Sequence, residues 1–306
     1  MGRRVVVLVV VLLLGLVLRR RGRLRWRGWV RRMTPVPEGP SGVGIGWRRE
    51  IDLTVERLPG VDFVEVVAED LHPDALPASL QTLRGRGLPV LPHAVSCSLG
   101  GAEPLRVDRV EHLAAVADAL GAPMASDHVC FVRAGGLESG HLLPVPRTRE
   151  ALGVLVDNVR AAQAVLGVPL ALENIAPLLA WPDAELSEGA FLAELCDRTG
   201  AFLLLDVANL HASAVNLGQD PDEVLGELPL DRVVYVHAAG GVERDGVYHD
   251  THAHPLTAPV FDLLDALCAR RRPPAVLLER DDRYPTDDEL AAELAALRAV
   301  HSRVRV

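Results

Sequence analysis

Lysine is absent from this 306-residue chain, so all 32 of its basic residues are arginines. Without lysine the protein cannot use a lysine Schiff base, a P-loop lysine or a lysine general base. Aromatic residues are also scarce, at 4% of the chain, while 49% of the residues are apolar. This composition is typical of a large core packed from Val, Leu and Ala. The length fits two average domains or a single α/β barrel equally well.

Acidic residues are absent from the first 32 positions, which hold ten of the arginines. The rest of the chain therefore carries 22 arginines against 41 acidic residues, a formal charge of −19. A body this acidic repels a phosphate backbone, so we expect no nucleic-acid partner.

The N-terminal region lacks both a full bilayer-spanning segment and a cleavage site. Its apolar run, residues 5–18, has 14 residues, fewer than the roughly 20 that a membrane helix needs, and no A-x-A-like site follows it. Three interpretations stay open: an uncleaved membrane anchor, a signal-like segment, or an upstream extension with the true start at Met33. We favour the third. Residues 1–41 are then an Arg-rich, apolar extension outside the fold, residues 42–306 form one domain, and no membrane partner is expected.

The four cysteines lack CxxC or any other framework spacing. They are Cys97, Cys130, Cys196 and Cys268. Scattered cysteines indicate reduced thiols, so we expect no disulfide and a cytoplasmic protein.

Apolar runs of strand length alternate with amphipathic stretches of helix length from residue 42 onward, which is typical of βα units around a parallel sheet. The predicted strands are 43–47, 62–69, 88–96, 123–132, 169–175, 201–210, 232–240 and 275–282. Helical patterns between them include 107–121 and 148–167, each ending on a glycine. Eight units without a break in composition predict a single (β/α)₈ TIM barrel of the α/β class.

Nearly every predicted strand ends with a side chain that can bind metal. Alone, such a histidine is more often a hydrogen-bonded structural residue, and such a carboxylate often caps the next helix. In a barrel, however, the strand ends converge on one mouth. The residues expected to meet there are His93, His128, Glu173, Asp206, His237, Asp250, His252 and Glu279. Four carboxylates and four imidazoles would repel and desolvate one another in an empty pocket, so cations are the natural compensation.

Mixed carboxylate and imidazole ligands point to iron, manganese or catalytic zinc and away from a structural zinc site. Eight ligands exceed the need of one ion, and carboxylates can bridge. Glu173 and Glu279 are therefore candidates for shared ligands of a multinuclear cluster. Six further polar residues are candidates for support behind the ligands: Glu65, Glu69, Asp127, Asn174, His211 and Asp281.

Eight short motifs in order along residues 43–285 resemble the family of multinuclear non-haem iron-dependent oxidative enzymes, which includes the methanobactin-biosynthesis oxidase. The motifs are GIGWR at Gly44, HAVSCSLG at His93, SDHVCF at Ser126, LEN at Leu172, LLLDVANLH at Leu203, VHAAGG at Val236, DTHAHP at Asp250 and LLERD at Leu277. Family members often have DVNN where this chain has DVAN, so Ala208 departs from the pattern.

The resemblance implies a xylose-isomerase-like barrel with two or three irons in mixed ferrous and ferric states. It also implies the use of O₂ to modify cysteines of a ribosomally made precursor peptide. The residues that it would place around the irons are His93, His128, Glu173, Asp206, Asn209, His237, Asp250, His252 and Glu279. Because the barrel accounts for the whole body of the chain, we expect a separate partner protein to deliver the peptide.

The sequence leaves two other classes of function open. One is a metal-dependent isomerase or phosphodiesterase on a related barrel, because fold does not fix function. The missing lysine and the acidic body disfavour it. The other is non-enzymatic metal binding, for which ligands spread around a barrel mouth are not needed.

Overall fold

The structure, a computed structural model, describes residues 39–303 of the chain. The predicted extension at residues 1–41 and the predicted start at Met33 lie outside this part, apart from residues 39–41. Within the described range, no helix combines the length and the apolar character needed to cross a bilayer.

Eight parallel strands close into a barrel, which confirms the predicted (β/α)₈ fold. Around the barrel the strand order is β1, β12, β9, β8, β7, β4, β3, β2. The strands of the described residues are β1 (Gly42–Trp47), β2 (Phe63–Val67), β3 (Val90–His93), β4 (Ala125–His128), β5 (Cys130–Ala134), β6 (Leu137–Pro144), β7 (Leu170–Glu173), β8 (Phe202–Asp206), β9 (Val233–Ala239), β10 (Val242–Arg244), β11 (Val247–His249) and β12 (Ala275–Glu279).

Amphipathic helices pack around the barrel, each with a buried apolar stripe. They are α1 (Asp52–Arg57), α2 (Ala78–Gly85), α3 (Val107–Leu120), α4 (Arg149–Val165), α5 (Glu188–Thr199), α6 (Val207–Leu217), α7 (Pro221–Glu227), α8 (Ala258–Arg270) and α9 (Asp287–His301). Helix α3 ends as predicted, because Gly121 adopts the left-handed conformation at φ +60° and closes it. Helix α4 ends two residues before the predicted glycine.

Two predicted strands run on into other elements, a hairpin and a helix. The run 123–132 is divided, because the chain leaves the barrel after His128 and residues from Cys130 onward form an antiparallel hairpin of β5 and β6. The run 201–210 ends at Asp206, where α6 begins. The Asp206 carboxylate accepts a hydrogen bond of 2.9 Å from the backbone N–H of Asn209, so it caps the helix. A second small hairpin, β10 and β11, follows β9.

The barrel interior is filled by side chains that form a buried cluster separate from the larger core. Its members are Phe63, Leu91, Met124, Ala171, Phe202, Leu204, Val234, Tyr235, Ala275 and Leu277. The larger core, which includes the buried residues of the helices, joins the outer face of the barrel to the helix layer. The barrel is therefore a packed support for its mouth and has no pore.

Candidate metal centre

The candidate ligands lie one layer above the barrel interior. Side chains two positions apart on a strand share a face. Leu91, Ala171, Leu204, Tyr235 and Leu277 belong to the interior cluster. The residues two positions after them are His93, Glu173, Asp206, His237 and Glu279, all of them buried. The alternation of each strand thus directs a polar side chain into the mouth directly above an apolar or aromatic layer.

Glu173, the last residue of β7, lies at the centre of this group. Its Oε2 is 3.5 Å from Nε2 of His93 and 3.3 Å from Nε2 of His128. Its Oε1 is 3.2 Å from Nδ1 of His237. That nitrogen is also 3.2 Å from Oε2 of Glu279. One carboxylate therefore contacts imidazoles from three different strands.

Four sets of three side chains bring one ligand atom each to within 4.8 Å of one another. The sets are His93, His128, Glu173; Glu173, Asp206, His237; Glu65, His237, Glu279; and Asp206, His252, Glu279. Glu173, Asp206, His237 and Glu279 each belong to two sets, so the sets are linked. Linked sets of this kind suit several ions with shared ligands better than one isolated ion.

Buried polar atoms without hydrogen-bond partners provide a test of whether a cation fits. Among the described residues, the unpartnered atoms include Glu173 Oε2, Asp206 Oδ2, His237 Nδ1, Asn209 Oδ1 and Asp250 Oδ1. Leaving such atoms buried and unsatisfied is costly, and bound metal ions are one way in which proteins satisfy them. The atoms that could bind a metal are carboxylate oxygens, imidazole nitrogens and one amide oxygen, a set of ligands that suits iron. The residues present therefore fit a metal cluster.

The loop after β11 contributes Asp250 and His252. His252 Nε2 is 2.7 Å from Oδ2 of Asp250, and its Nδ1 is 2.8 Å from Oδ2 of Asp281. His252 has the left-handed backbone angle φ +49°, a costly conformation for a residue with a side chain and one that is found disproportionately at functional sites. Its Nδ1 also lies 3.5 Å from Glu279 Oε2, which connects this loop to the strand-end group.

Arg48 is a charged residue at the mouth that the strand-end argument did not single out, although it belongs to the GIGWR motif. It is 8% exposed. Its guanidinium donates to Asp281 Oδ1 at 2.7 Å and to Glu279 Oε1 at 3.1 Å. A nearby buried cation offsets part of the negative charge of these carboxylates. The signal in the sequence was an arginine directly after β1, at a position that shares the inward face of Gly44 and Gly46.

Asn174 and Asn209 join the rims of β7 and β8. The Asn174 amide donates to the backbone oxygen of Asp206 at 3.0 Å and accepts from its N–H at 2.9 Å. The Asn209 amide nitrogen donates to the backbone oxygen of Asn174 at 2.9 Å. Asn174 is thus occupied by the backbone. The side-chain oxygen of Asn209 is buried and has no hydrogen-bond partner, so it can serve as a metal ligand.

Besides Asn174, three of the six candidate supporting residues contact the candidate ligands or their neighbours. Asp281 contacts His252, and Glu65 contacts His237 at 3.1 Å between Oε2 and Nε2. Asp127 is buried and accepts from the backbone N–H of Cys97 at 3.2 Å. Its other oxygen is 3.8 Å from His128 Nδ1.

Two of the supporting candidates lie apart from the cluster. Glu69 is exposed and accepts from the backbone N–H of Val95 and the hydroxyl of Ser96. It holds together the loops after β2 and β3. His211 lies on α6, half-buried, with its ring edge-on to Tyr248 at 4.7 Å between centroids. Neither residue belongs to any of the four sets.

Ser126 and Tyr235 also lie beside the candidate ligands, although neither was among the supporting residues predicted from the sequence. Ser126 Oγ is 2.9 Å from Nδ1 of His93 and 2.8 Å from the Tyr235 hydroxyl. Each lies two positions before a candidate ligand, Ser126 before His128 and Tyr235 before His237. Strand alternation therefore contained the signal: a polar residue two positions before a strand-end ligand faces the same interior, one layer deeper.

The charged groups and the burial at the mouth raise the pKa values of some candidate ligands and lower those of others. Burial opposes charge on His128, but Glu173 and Asp127 raise its pKa to about 9. Burial and the neighbouring imidazoles hold the pKa of His93 well below its usual value. Burial, together with the negative charges of Asp250 and Glu173, raises the pKa of Asp206 well above its usual value. Without metal, the cluster thus shares protons among groups that would all be deprotonated as ligands.

The cysteines that flank the candidate ligands, Cys97 and Cys130, are packing residues. Cys97 is 2% exposed and Cys130 is fully buried. Burial and the charge of Asp127 raise the pKa of both thiols. A protonated, buried thiol is a poor metal ligand and a poor nucleophile.

Comparison with known proteins places the chain in a family. Residues 42–302 match the family model described as the RiPP precursor modification enzyme MbnB/TglH/ChrH, where RiPP denotes a ribosomally synthesised and post-translationally modified peptide. The chain belongs to this family. The match covers essentially the whole barrel, and it confirms the family resemblance of the sequence motifs.

Two bacterial relatives share much of the sequence of this chain. A UPF0276 protein of Streptomyces avermitilis is 57% identical over 267 residues, with 85% of this chain and 55% of the relative covered. A UPF0276 protein of Caulobacter vibrioides is 40% identical over 263 residues, with 85% of this chain and 94% of the relative covered. The chain thus matches about half the length of the first relative and nearly all of the second.

Solved structures share the barrel at low sequence identity. The D-psicose 3-epimerase of Clostridium cellulolyticum, solved with D-tagatose, has a TM-score of 0.58 and 12% identity, covering 85% of this chain and 99% of that one. Endonuclease IV of Thermus thermophilus has a TM-score of 0.55 and 22% identity, covering 85% and 98%. A xylose isomerase domain protein from Planctomyces limnophilus has a TM-score of 0.53 and 16% identity, covering 86% and 98%. These likenesses confirm the xylose-isomerase-like fold and no more.

Proposed function

We propose that this protein is a multinuclear iron enzyme that uses O₂ to modify cysteine residues of a ribosomally made precursor peptide. The observation that supports this proposal best is the linked group of buried carboxylates and imidazoles around Glu173, which leaves several donor atoms unpartnered. Membership of a family of RiPP precursor modification enzymes supports the choice of a peptide as the substrate.

Nine residues would hold two or three irons, in mixed ferrous and ferric states: His93, His128, Glu173, Asp206, Asn209, His237, Asp250, His252 and Glu279. Glu173 would be shared, because its two oxygens face imidazoles on opposite sides. When bound, iron supplies the activation of O₂ and the one-electron oxidation chemistry that amino-acid side chains cannot provide.

The chain itself supplies position, charge and protection from water. The strand-end ligands are buried, so bulk water is kept from the donor atoms. Arg48 holds Glu279 and Asp281 in place and offsets their charge. Burial raises the pKa of Cys97 and Cys130, the cysteines beside the candidate ligands, so the proposed reaction falls on a cysteine of the incoming peptide.

A separate partner protein is proposed to deliver the peptide. An extended peptide can dock by adding a strand to a sheet edge, where main-chain hydrogen bonds provide affinity. The barrel sheet is closed and offers no edge of this kind. A cytoplasmic location, which would keep the four cysteines reduced, is part of the same proposal.

Co-expression of the full chain with short cysteine-containing peptides encoded beside it, followed by mass spectrometry, tests the proposal. We expect a mass change on cysteine that needs O₂ and reductant, stops with an iron chelator and disappears when the peptide cysteine is replaced by serine. The His93→Ala variant should be inactive, whereas His211→Ala, outside the cluster, should keep activity.

Two outcomes would favour the other classes of function. Hydrolysis of a phosphoester or isomerisation of a sugar without O₂ would assign the protein to the isomerase and phosphodiesterase class. Tight metal binding with no reaction on any of the peptides encoded nearby would favour a non-enzymatic role. The strongly acidic body and the lack of lysine argue against the first outcome.

A further inference from the structure

A chain of hydrogen bonds lies beneath the mouth and connects two candidate ligands to one buried carboxylate. Ser126 Oγ bridges His93 Nδ1, at 2.9 Å, and the Tyr235 hydroxyl, at 2.8 Å. The Tyr235 hydroxyl donates to Glu65 Oε2 at 2.6 Å. The same oxygen is 3.1 Å from Nε2 of His237. All five side chains are buried, with at most 3% exposure.

We propose that Glu65, acting directly on His237 and through Tyr235 and Ser126 on His93, fixes which nitrogen of each imidazole faces the metal centre. This inference rests on the proposed metal-binding function. It makes Glu65, Tyr235 and Ser126 positioning residues, and it separates Glu65 from the ligands although its carboxylate lies near Glu279 and His237.

The direction of the hydrogen bonds follows from the one group that can only accept. The Tyr235 hydroxyl donates to the Glu65 carboxylate, which accepts. The tyrosine oxygen then accepts from Ser126, and the serine oxygen accepts from His93 Nδ1–H. In the same way His237 donates its Nε2–H to Glu65. In its neutral form each imidazole then has one unprotonated nitrogen, Nε2 in His93 and Nδ1 in His237.

Those two nitrogens are the ones that face the candidate cluster. His93 Nε2 lies 3.5 Å from Glu173 Oε2. His237 Nδ1 lies 3.2 Å from both Glu173 and Glu279. Metal-binding histidines generally donate their other ring N–H to a carboxylate, carbonyl or water, and this partner orients the ring and raises its basicity. Here one carboxylate serves two rings from different strands.

The test measures how tightly iron is held by the full chain when it competes with a chelator. Loss of such a partner typically weakens metal binding about 10- to 100-fold. We expect a loss of this size for Tyr235→Phe and for Ser126→Ala, and at least as large a loss for Glu65→Gln, which serves both rings. The double variant Tyr235→Phe/Ser126→Ala should bind iron no more weakly than the weaker-binding of the two single variants, because both residues belong to one chain of hydrogen bonds.

Ser213→Ala is the matched control. Ser213 is also buried, but its Oγ has no hydrogen-bond partner in the described part of the chain. It should bind iron like the wild type. Thermal unfolding of the metal-free variants checks the fold. The Mössbauer spectrum of the iron-loaded Tyr235→Phe protein should differ from that of the wild type. A purely structural role of Tyr235 would not change this spectrum.

The outcomes separate the two proposals. If the wild type holds iron and both Tyr235→Phe and Ser126→Ala hold it equally well, the positioning inference is wrong and the proposed function stands. If iron is lost in Glu65→Gln alone, Glu65 is a ligand and the inference is also overturned. If the wild type holds no iron at all, the proposed function fails, and the positioning inference that rests on it fails too.

Discussion

Gly44 shows how little space the barrel interior leaves at the level of a single residue. A Cβ atom at this position would lie 2.6 Å from the ring of Phe63, which is fully buried. The ring cannot move aside in a packed interior, so Gly44→Ala should destabilise the protein by about 1–3 kcal/mol. Thermal unfolding of the metal-free protein measures this change.

Gly153 offers the control for that substitution. It lies within α4, and a Cβ there would meet nothing within 4 Å. Gly153→Ala should therefore stabilise the protein by about 0.5–1 kcal/mol, because alanine has the higher helix propensity. Equal effects of the two substitutions would contradict the packing described for the interior.

The sequence predicted individual site residues best where a ligand-type side chain ends a strand. His93, His128, Glu173, Asp206 and Glu279 all end their strands and meet at the mouth. Ser126, Tyr235 and Arg48 were not singled out, because their roles depend on what lies across the barrel. Glu69 looked equivalent to the others, but the loop that holds it directs it to Ser96 and the solvent.

Asp206 has two roles at the level of a secondary-structure element, because it ends β8 and caps α6. Asparagine caps a helix about as well as aspartate, whereas alanine does not. Asp206→Asn keeps the cap, so the metal-free variant should be at least as stable as the wild type, but its iron content should fall. Asp206→Ala should reduce iron content and also lose about 0.5–2 kcal/mol of stability.

Iron content and metal-free thermal unfolding, measured on both variants, separate the two roles. If Asp206→Asn binds iron like the wild type, the carboxylate is a cap and not a ligand. Relief of charge repulsion with Glu173 and Asp250 acts equally in both variants, so the comparison between them isolates the cap.

The alternation of apolar runs was enough to predict the eight barrel strands and their order in the fold. It could not predict the ends of the runs at 123–132 and 201–210, because apolar residues continue without Gly or Pro into a hairpin and a helix. Beyond His128 the chain contacts residues that are distant in sequence: the backbone N–H of Gly100 donates to the Cys130 oxygen at 2.7 Å. Such a contact is not visible in local sequence.

The stability of the whole molecule should depend on pH through its buried imidazoles. The folded-state pKa of His128 is about 9, and an unfolded histidine has a pKa near 6.5. A raised pKa stabilises the fold fully below about pH 6.5 and loses this effect as pH rises toward 9. The metal-free protein should therefore become less stable between pH 6.5 and 9, by on the order of 3 kcal/mol from this group.

Metal binding should have the opposite dependence on pH, because a histidine ligand must be neutral and binding displaces its proton. Iron affinity should rise over the same range. Thermal unfolding of the metal-free protein and metal titrations, both at several pH values, check the two trends. Unfolding temperatures that rise toward pH 9 would contradict the charge arrangement described for the mouth.

Elemental analysis of the purified full chain shows directly whether the proposed cluster binds several irons through shared carboxylates. We predict at least two irons per chain in the wild type and in His211→Ala, and a clear loss of iron in Glu173→Ala and in Glu279→Ala. Iron content that is unchanged in both glutamate variants would contradict the cluster.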